Sequence, residues 1–104
     1  MRILFLGDVV GISGCSKIQN NLLDQIKKKK IDFVIANAEN AAEEGVGLTK
    51  EICEDFFKSG VNVITTGNHV WDQKDIMNFI DKENRLLRPK NLFEPAPGNG
   101  FGVY

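Results

Sequence analysis

The chain has 104 residues and a formal net charge of −1, and 42% of its residues are hydrophobic, which is typical of one small globular domain over residues 1–104. The near-neutral charge excludes a broad basic surface for nucleic acid or for an anionic membrane. The apolar start, "MRILFLGDVVG", is short and interrupted by Asp8, unlike a signal peptide, and no apolar stretch reaches the roughly 18 residues that span a bilayer.

The first eighty residues alternate between short apolar runs and segments with apolar residues at helical spacing. This pattern predicts strands at 2–6, 32–37 and 61–67, the first of them buried on both faces, and helices at 16–30, 48–60 and 72–83. Ser16, Thr49 and Asp72 are the expected N-caps of the helices, and Gly60 is the expected C′ residue of the second helix. The basic run 27–30 is expected to end the first helix, where cations favour the dipole.

The remaining segment carries all three prolines and predicts a loop with a short strand near Leu86–Leu87. The last four residues, "FGVY", look like the opening of another strand. Because a domain rarely ends there, we expect the chain to be a fragment of a longer protein or a truncated one.

The two cysteines, Cys15 and Cys53, have neither CxxC nor zinc-ribbon spacing. We predict free thiols in a reducing cytoplasm. Cys15 follows a glycine-rich loop at the expected start of the first helix, a position that lowers the pKa of a thiol.

Strands that alternate with helices predict βαβ units, a parallel sheet and right-handed crossovers. In such sheets, functional groups gather beyond the carboxyl ends of the strands. Five polar residues follow the three predicted strands, and all offer oxygen or nitrogen donors: Asp8, Glu39, Asn40, Asn68 and His69. This donor set suits hard or borderline divalent metals.

Each of these residues also has an ordinary structural interpretation. Asp8 is explained by a turn or a helix cap, Glu39 and Asn40 by a solvated loop, and Asn68 and His69 by a turn. Their joint placement after every buried strand favours a site. The stretch "GDVVGISG" suggests a phosphate loop, but it fits neither GxGxxG nor GxxxxGK[ST], so nucleotide binding is the weaker alternative.

Several long strings resemble a known enzyme family. "GD" after the first strand and "GNH" after the third resemble the calcineurin-like metallophosphoesterases. "RILFLGDVVG", "DFVIANAENAAEEGVGLT", "GVNVITTGNHVWD" and "RLLRPKN" look more specifically like the bacterial YmdB-like branch. Val10 and Glu39 depart from the superfamily motifs in the manner of that branch. The resemblance implies an α/β fold in which a βαβαβα parallel sheet forms the N-terminal half of a four-layer sandwich.

The resemblance also implies a site with two divalent metal ions, for which Fe, Mn, Mg and Zn are the candidates. Asp8 would bind the first metal, Glu39 would bridge both, Asn40 would lie beside the first, and Asn68 would bind the second. His69 would be the catalytic general acid or would hold the phosphate near the leaving oxygen. The family's remaining ligands are C-terminal histidines, whereas His69 is the only histidine here, so activity of this chain alone is in question.

The substrates implied are phosphodiesters, with cyclic nucleotides and RNA among the candidates and no membrane partner. A homo-oligomer, or association with a missing C-terminal half, is expected. A different class of function stays open: a non-catalytic, truncated α/β module that acts in interaction or oligomerisation.

Overall fold

A computed structural model describes all residues, 1–104, and contains one parallel sheet in the order β1-β2-β3-β4. The strands are β1 (Ile3–Leu6), β2 (Phe33–Asn37), β3 (Val63–Thr65) and β4 (Leu86–Leu87), and the helices are α1 (Gly11–Lys29) and α2 (Lys50–Lys58). The predicted α/β class is confirmed, as is the short strand near Leu86–Leu87. Neither helix combines the length and the apolar character needed to cross a membrane.

One face of the sheet forms the core with the two helices. Alternate residues of β2 and β3 are buried in a single cluster with residues of α1 and α2: Ile18, Leu22, Val34, Ala36, Phe56 and Ile64. Burial of a large apolar side chain stabilises the fold by about 1.5–3 kcal/mol, so this layer holds the strand ends in place.

The opposite face of β1 is open, so the prediction that this strand is buried on both faces is wrong. Ile3 and Phe5 are 57% and 61% exposed. Only one layer of helices covers the sheet, and a continuous apolar run does not reveal which of its two faces is covered. The predicted strand at "FGVY" is also wrong. Tyr104 instead lies with its ring 6.3 Å from Phe33, and its hydroxyl donates to the Asn84 carbonyl.

The two α-helices begin differently. α1 begins at Gly11, five residues before the predicted cap Ser16, because the Gly11 N–H is already fixed on the Asn40 carbonyl at 2.9 Å. α2 has the predicted caps: the Thr49 hydroxyl accepts from the Ile52 N–H at 3.3 Å. Gly60 follows the helix with φ +106°, a conformation that favours glycine.

The predicted third helix, 72–83, is wrong. The segment forms two short 3-10 helices, Lys74–Asn78 and Ile80–Lys82. Its acidic side chains bond to other segments instead of capping a helix: Asp75 accepts from the Lys50 N–H and Asp81 from the Gly98 N–H. These tertiary contacts override the local helical pattern.

Both cysteines are buried and free, which agrees with the prediction of free thiols. Cys15 lies inside α1, where its thiol donates to the Ala41 carbonyl at 3.2 Å. Burial raises the pKa of the Cys15 thiol, which is opposite to the expected lowering, and burial also raises the pKa of Cys53. The predicted basic end of α1 is confirmed, with Lys27, Lys28 and Lys29 in its last turn.

Candidate functional site

The loops that follow the first three strands are joined by backbone hydrogen bonds. The Gly11 N–H donates to the Asn40 carbonyl at 2.9 Å, which joins the loop after β1 to the loop after β2. The Ala38 N–H donates to the Thr65 carbonyl at 3.0 Å, which ties the second loop to β3. Since all three strands are parallel, their carboxyl ends share one edge, and side chains on these loops are brought together there.

Asp8 and Asn40 form the first contact across this edge. The Asn40 side-chain amide donates to Asp8 Oδ2 at 2.8 Å. The other end of the amide, Asn40 Oδ1, is buried and accepts no hydrogen bond. Most buried polar atoms in proteins have a partner, so this bare acceptor beside a carboxylate points to a ligand.

Glu39 crosses from the second loop to the third. Its carboxylate accepts the backbone N–H of His69 at 3.2 Å. It also fills the space beside Gly67, where any Cβ would overlap the carboxylate oxygens. The glycine of "GNH" therefore has a steric reason: it leaves room for an acidic side chain from the neighbouring loop.

His69 is paired with Asp72, which sequence reasoning had assigned only as a helix cap. Nδ1 of the ring is 2.7 Å from Asp72 Oδ2, and both side chains are partly exposed. The turn that joins them is closed by the Asp72 N–H, which donates to the His69 carbonyl at 3.1 Å. The i,i+3 spacing within "HVWD" is the sequence signal that could have revealed this pair.

Asn68 lies between Gly67 and His69 on the third loop and has an exposed side chain with no hydrogen bond. The structure therefore joins Asp8 to Asn40 and Glu39 to the His69 backbone, and it places Asn68 in the same turn. The metal-binding and catalytic roles of these five residues stay predictions.

The chemistry of the donors fits part of a metal site. No group of three or more His, Cys, Asp or Glu side chains is close enough to hold a metal ion by itself. The two carboxylates, Asp8 and Glu39, are supplemented by amide oxygens, and the bare Oδ1 of Asn40 is the group most in need of a cation. Oxygen donors of this kind suit hard divalent ions.

The phosphate-loop alternative for "GDVVGISG" loses support from the backbone. The N–H groups of Val9 and Gly11 donate to the carbonyls of Asn37 and Asn40. A phosphate cradle needs such N–H groups to be free, so the two that are occupied here make the phosphate-loop alternative weaker.

A family profile and a related protein of known name both match nearly the whole chain. The profile of the family described as YmdB-like protein matches residues 4–104. The chain is 47% identical over 101 residues to the 2′,3′-cyclic-nucleotide 2′-phosphodiesterase of Bacillus subtilis (strain 168), a match that covers 97% of this chain and 38% of that protein.

Two solved structures have the same fold. One is a hypothetical protein from Thermus thermophilus, with a TM-score of 0.89 at 37% identity, covering 98% of this chain and 39% of that one. The other is a phosphatase from Mycoplasma pneumoniae, with a TM-score of 0.85 at 38% identity, covering 98% and 38%. The chain thus spans less than half the length of the proteins it matches. By the extent of the family match, the chain belongs to the YmdB-like family.

Proposed function

We propose that the chain carries the N-terminal part of a metal-dependent phosphodiesterase site that uses two divalent metal ions. The observation that carries the proposal is the buried, unpartnered Oδ1 of Asn40 next to Asp8. Asn40 directly follows Glu39 on the loop after β2, and the Glu39 carboxylate accepts the N–H of His69 on the loop after β3.

The residues of this chain would have different roles at the two ions. Asp8 and Asn40 would hold one ion, Asn68 the other, and Glu39 would contact both. When bound, two ions such as Mn²⁺, Fe²⁺, Mg²⁺ or Zn²⁺ supply Lewis acidity toward a phosphodiester and activate water for attack on phosphorus. Amide donors add ligation without negative charge, which keeps the site attractive to an anionic substrate.

His69 is the proton donor in this proposal. Its Nδ1 is occupied by Asp72, so Nε2 is the nitrogen that remains for the leaving ester oxygen. Proton transfer from a placed general acid contributes about 10²- to 10⁴-fold to rate. The name of the Bacillus relative supports a 2′,3′-cyclic nucleotide as the substrate class, ahead of RNA.

The donors present fill only part of two coordination shells, and this sets the expected affinity. We expect calorimetry with Mn²⁺ to give weak binding by the 104-residue chain and none by Asp8→Ala or Glu39→Ala. The exposed Asp24, which makes no side-chain hydrogen bond, supplies the matched control: Asp24→Ala should bind as the parent does. Tight, stoichiometric binding that survives both site changes would contradict the proposal.

Turnover is tested with a chromogenic phosphodiester. The chain alone should show little hydrolysis, whereas the chain joined to the remaining part of the Bacillus relative should show metal-dependent hydrolysis. His69→Ala in the joined protein should lower turnover and leave its metal content unchanged. Loss of metal in that variant would make His69 a ligand, and rapid hydrolysis by the short chain would show that its donors suffice.

The open face of β1 supports a second candidate, a non-catalytic interaction or oligomerisation module. Ile3 and Phe5 present apolar area to water there. This candidate requires association in sedimentation that Phe5→Ser weakens and Ile12→Ser, equally exposed on α1, does not. It also requires a joined protein without turnover.

A further inference from the structure

The turn that carries His69 is held rigidly on both sides. Val70 is fully buried, and its N–H donates to the Gly67 carbonyl at 3.2 Å. On the other side, the Gln73 side-chain amide donates to the Val46 carbonyl at 3.1 Å. Asp72 therefore sits between two anchored residues, although its own side chain is partly exposed.

The loop opposite leaves room for this arrangement. Gly47 has φ +84°, and a Cβ there would overlap Gln73 and lie 3.2 Å from the Asp72 Cβ. The Cβ of Asp72 and the backbone nitrogen of Gln73 are thus packed closely against Gly47. This packing limits the space around the Asp72 Cβ, and the carboxylate beyond it lies 2.7 Å from Nδ1 of the imidazole.

The chemistry of the contact determines which ring nitrogen carries the proton. An ionised carboxylate only accepts hydrogen bonds, so Nδ1 of His69 is the donor in this pair. In the neutral ring Nε2 then carries the lone pair, and in the imidazolium Nε2 carries the second proton. In both states Nε2 is the nitrogen that faces no partner within the chain.

We infer that Asp72 is a positioning residue for His69, which holds the imidazole in its Nδ1–H form so that Nε2 serves the leaving ester oxygen. The catalytic consequence rests on the proposed phosphodiesterase function, but the tautomer does not. In a serine protease, changing the comparable carboxylate to an amide keeps the geometry and lowers kcat about 10⁴-fold through the wrong tautomer. Because the present pair is partly exposed, a smaller loss of about 10- to 100-fold is expected.

The tautomer is measured on the ¹⁵N-labelled chain by long-range ¹H–¹⁵N correlation at a pH where the ring is neutral. His69 is the only histidine, so its two ring nitrogens are assigned without ambiguity. The parent chain should show a protonated Nδ1, and Asp72→Ala should shift the ring toward the Nε2–H form. Asp24→Asn, which removes the same charge from an exposed position on α1, should leave the ring unchanged.

The backbone amide spectrum shows whether each variant is folded. Should Asp72→Ala fail to fold, Asp72→Asn keeps the shape of the side chain and weakens the preference for Nδ1–H, so the same shift is expected. A parent ring in the Nε2–H form, or folded variants with the parent's nitrogen shifts, would overturn the inference.

The catalytic consequence is measured in the joined protein with two diesters of unlike leaving group. Asp72→Ala should lower kcat with little change in KM. The loss should be larger for an alkoxide leaving group, which needs a proton, than for p-nitrophenolate, which does not. Equal rates for parent and variant on both diesters would overturn the positioning role while leaving the proposed function intact. A parent without hydrolysis would defeat the proposed function, and the tautomer would then decide the inference alone.

Discussion

Two regions of this molecule differ in whether their buried polar groups have hydrogen-bond partners. The side chain of Arg88 is only 3% exposed and donates to the carbonyls of Pro89, Ala96 and Pro97 and to the Glu94 carboxylate. At the carboxyl edge of the sheet, Asn40 Oδ1 is buried and has no partner. A polar group whose bonds are complete holds a loop in shape, whereas one left incomplete beside a carboxylate is available to a ligand.

The energetic difference supports this interpretation. A buried polar group without a partner costs about 1–3 kcal/mol, and small domains have little stability to spare. The loop of Asn40 is fixed by one backbone hydrogen bond from Gly11, and its side-chain amide is held by the bond that it donates to Asp8. The cost is maintained by the surrounding structure, as is common at functional sites.

The largest expected effect concerns Arg88 and the carbonyl groups to which it donates. Arg88→Ala removes a buried group and leaves the carbonyls of Ala96 and Pro97 unpaired, whereas the Pro89 carbonyl keeps the Leu92 N–H. Unfolding in urea should therefore show a loss of about 3 kcal/mol. The Glu94 side chain is 67% exposed, so Glu94→Gln should cost less than about 1 kcal/mol. A similar small loss in both variants would show that the carbonyl bonds of Arg88 contribute little.

The next prediction concerns the carboxyl edge of the sheet, where the loop that carries Glu39 approaches the loop that carries Gly67. In Gly67→Ala the new Cβ overlaps the Glu39 carboxylate, and such overpacking costs about 1–3 kcal/mol. Adding Glu39→Ala removes the obstacle, so the double variant should be more stable than Gly67→Ala alone in the same urea titration. Strictly additive losses would mean that the carboxylate moves aside freely.

The sequence predicted the carboxyl edge of the sheet better than it predicted the region around Arg88. The strand ends were predictable because parallel strands share an edge, and Asp8, Glu39 and His69 each come shortly after an apolar run. The cluster around Arg88 was not, because its carbonyl partners are backbone groups that carry no sequence signal. The pairing of Asp72 with His69 was missed for a related reason: an aspartate before a helical pattern is read as a cap, and only the folded turn shows the imidazole beside it.

The helix boundaries and the sheet faces show a second limit. The early start of α1 depends on a bond between Gly11 and Asn40, 29 residues apart in the chain. The segment of Asp75 and Asp81 carries a helical pattern, but its carboxylates are drawn to distant N–H groups. Patterns of spacing describe local preference, and long-range hydrogen bonds decided these cases.

The smallest expected effect concerns an ion pair that makes its hydrogen bonds but is partly exposed to solvent. It tests whether burial, and not hydrogen bonding alone, determines how much a polar group contributes to stability. Glu83 accepts three hydrogen bonds from Arg85, two from the guanidinium and one from the backbone N–H. The Arg85 guanidinium lies 3.8 Å from the centre of the Phe57 ring. The hydrogen bond from Arg85 lowers the pKa of Glu83 in the folded chain. A lowered pKa adds stability above the unfolded pKa of the carboxyl group, and this stability is lost as pH falls through the folded pKa.

Glu83→Gln should therefore cost less than about 1 kcal/mol at neutral pH, since Arg85 is half exposed to solvent. The difference between parent and variant should shrink as the pH is lowered below the ordinary range of a glutamate. Urea titrations across that pH range measure it, with Glu43→Gln, on an exposed glutamate outside the helices, as the control. A pH-independent difference would assign the effect to packing of the side chain. A loss as large as that of Arg88→Ala would show that burial is not what separates the structural polar groups of this chain.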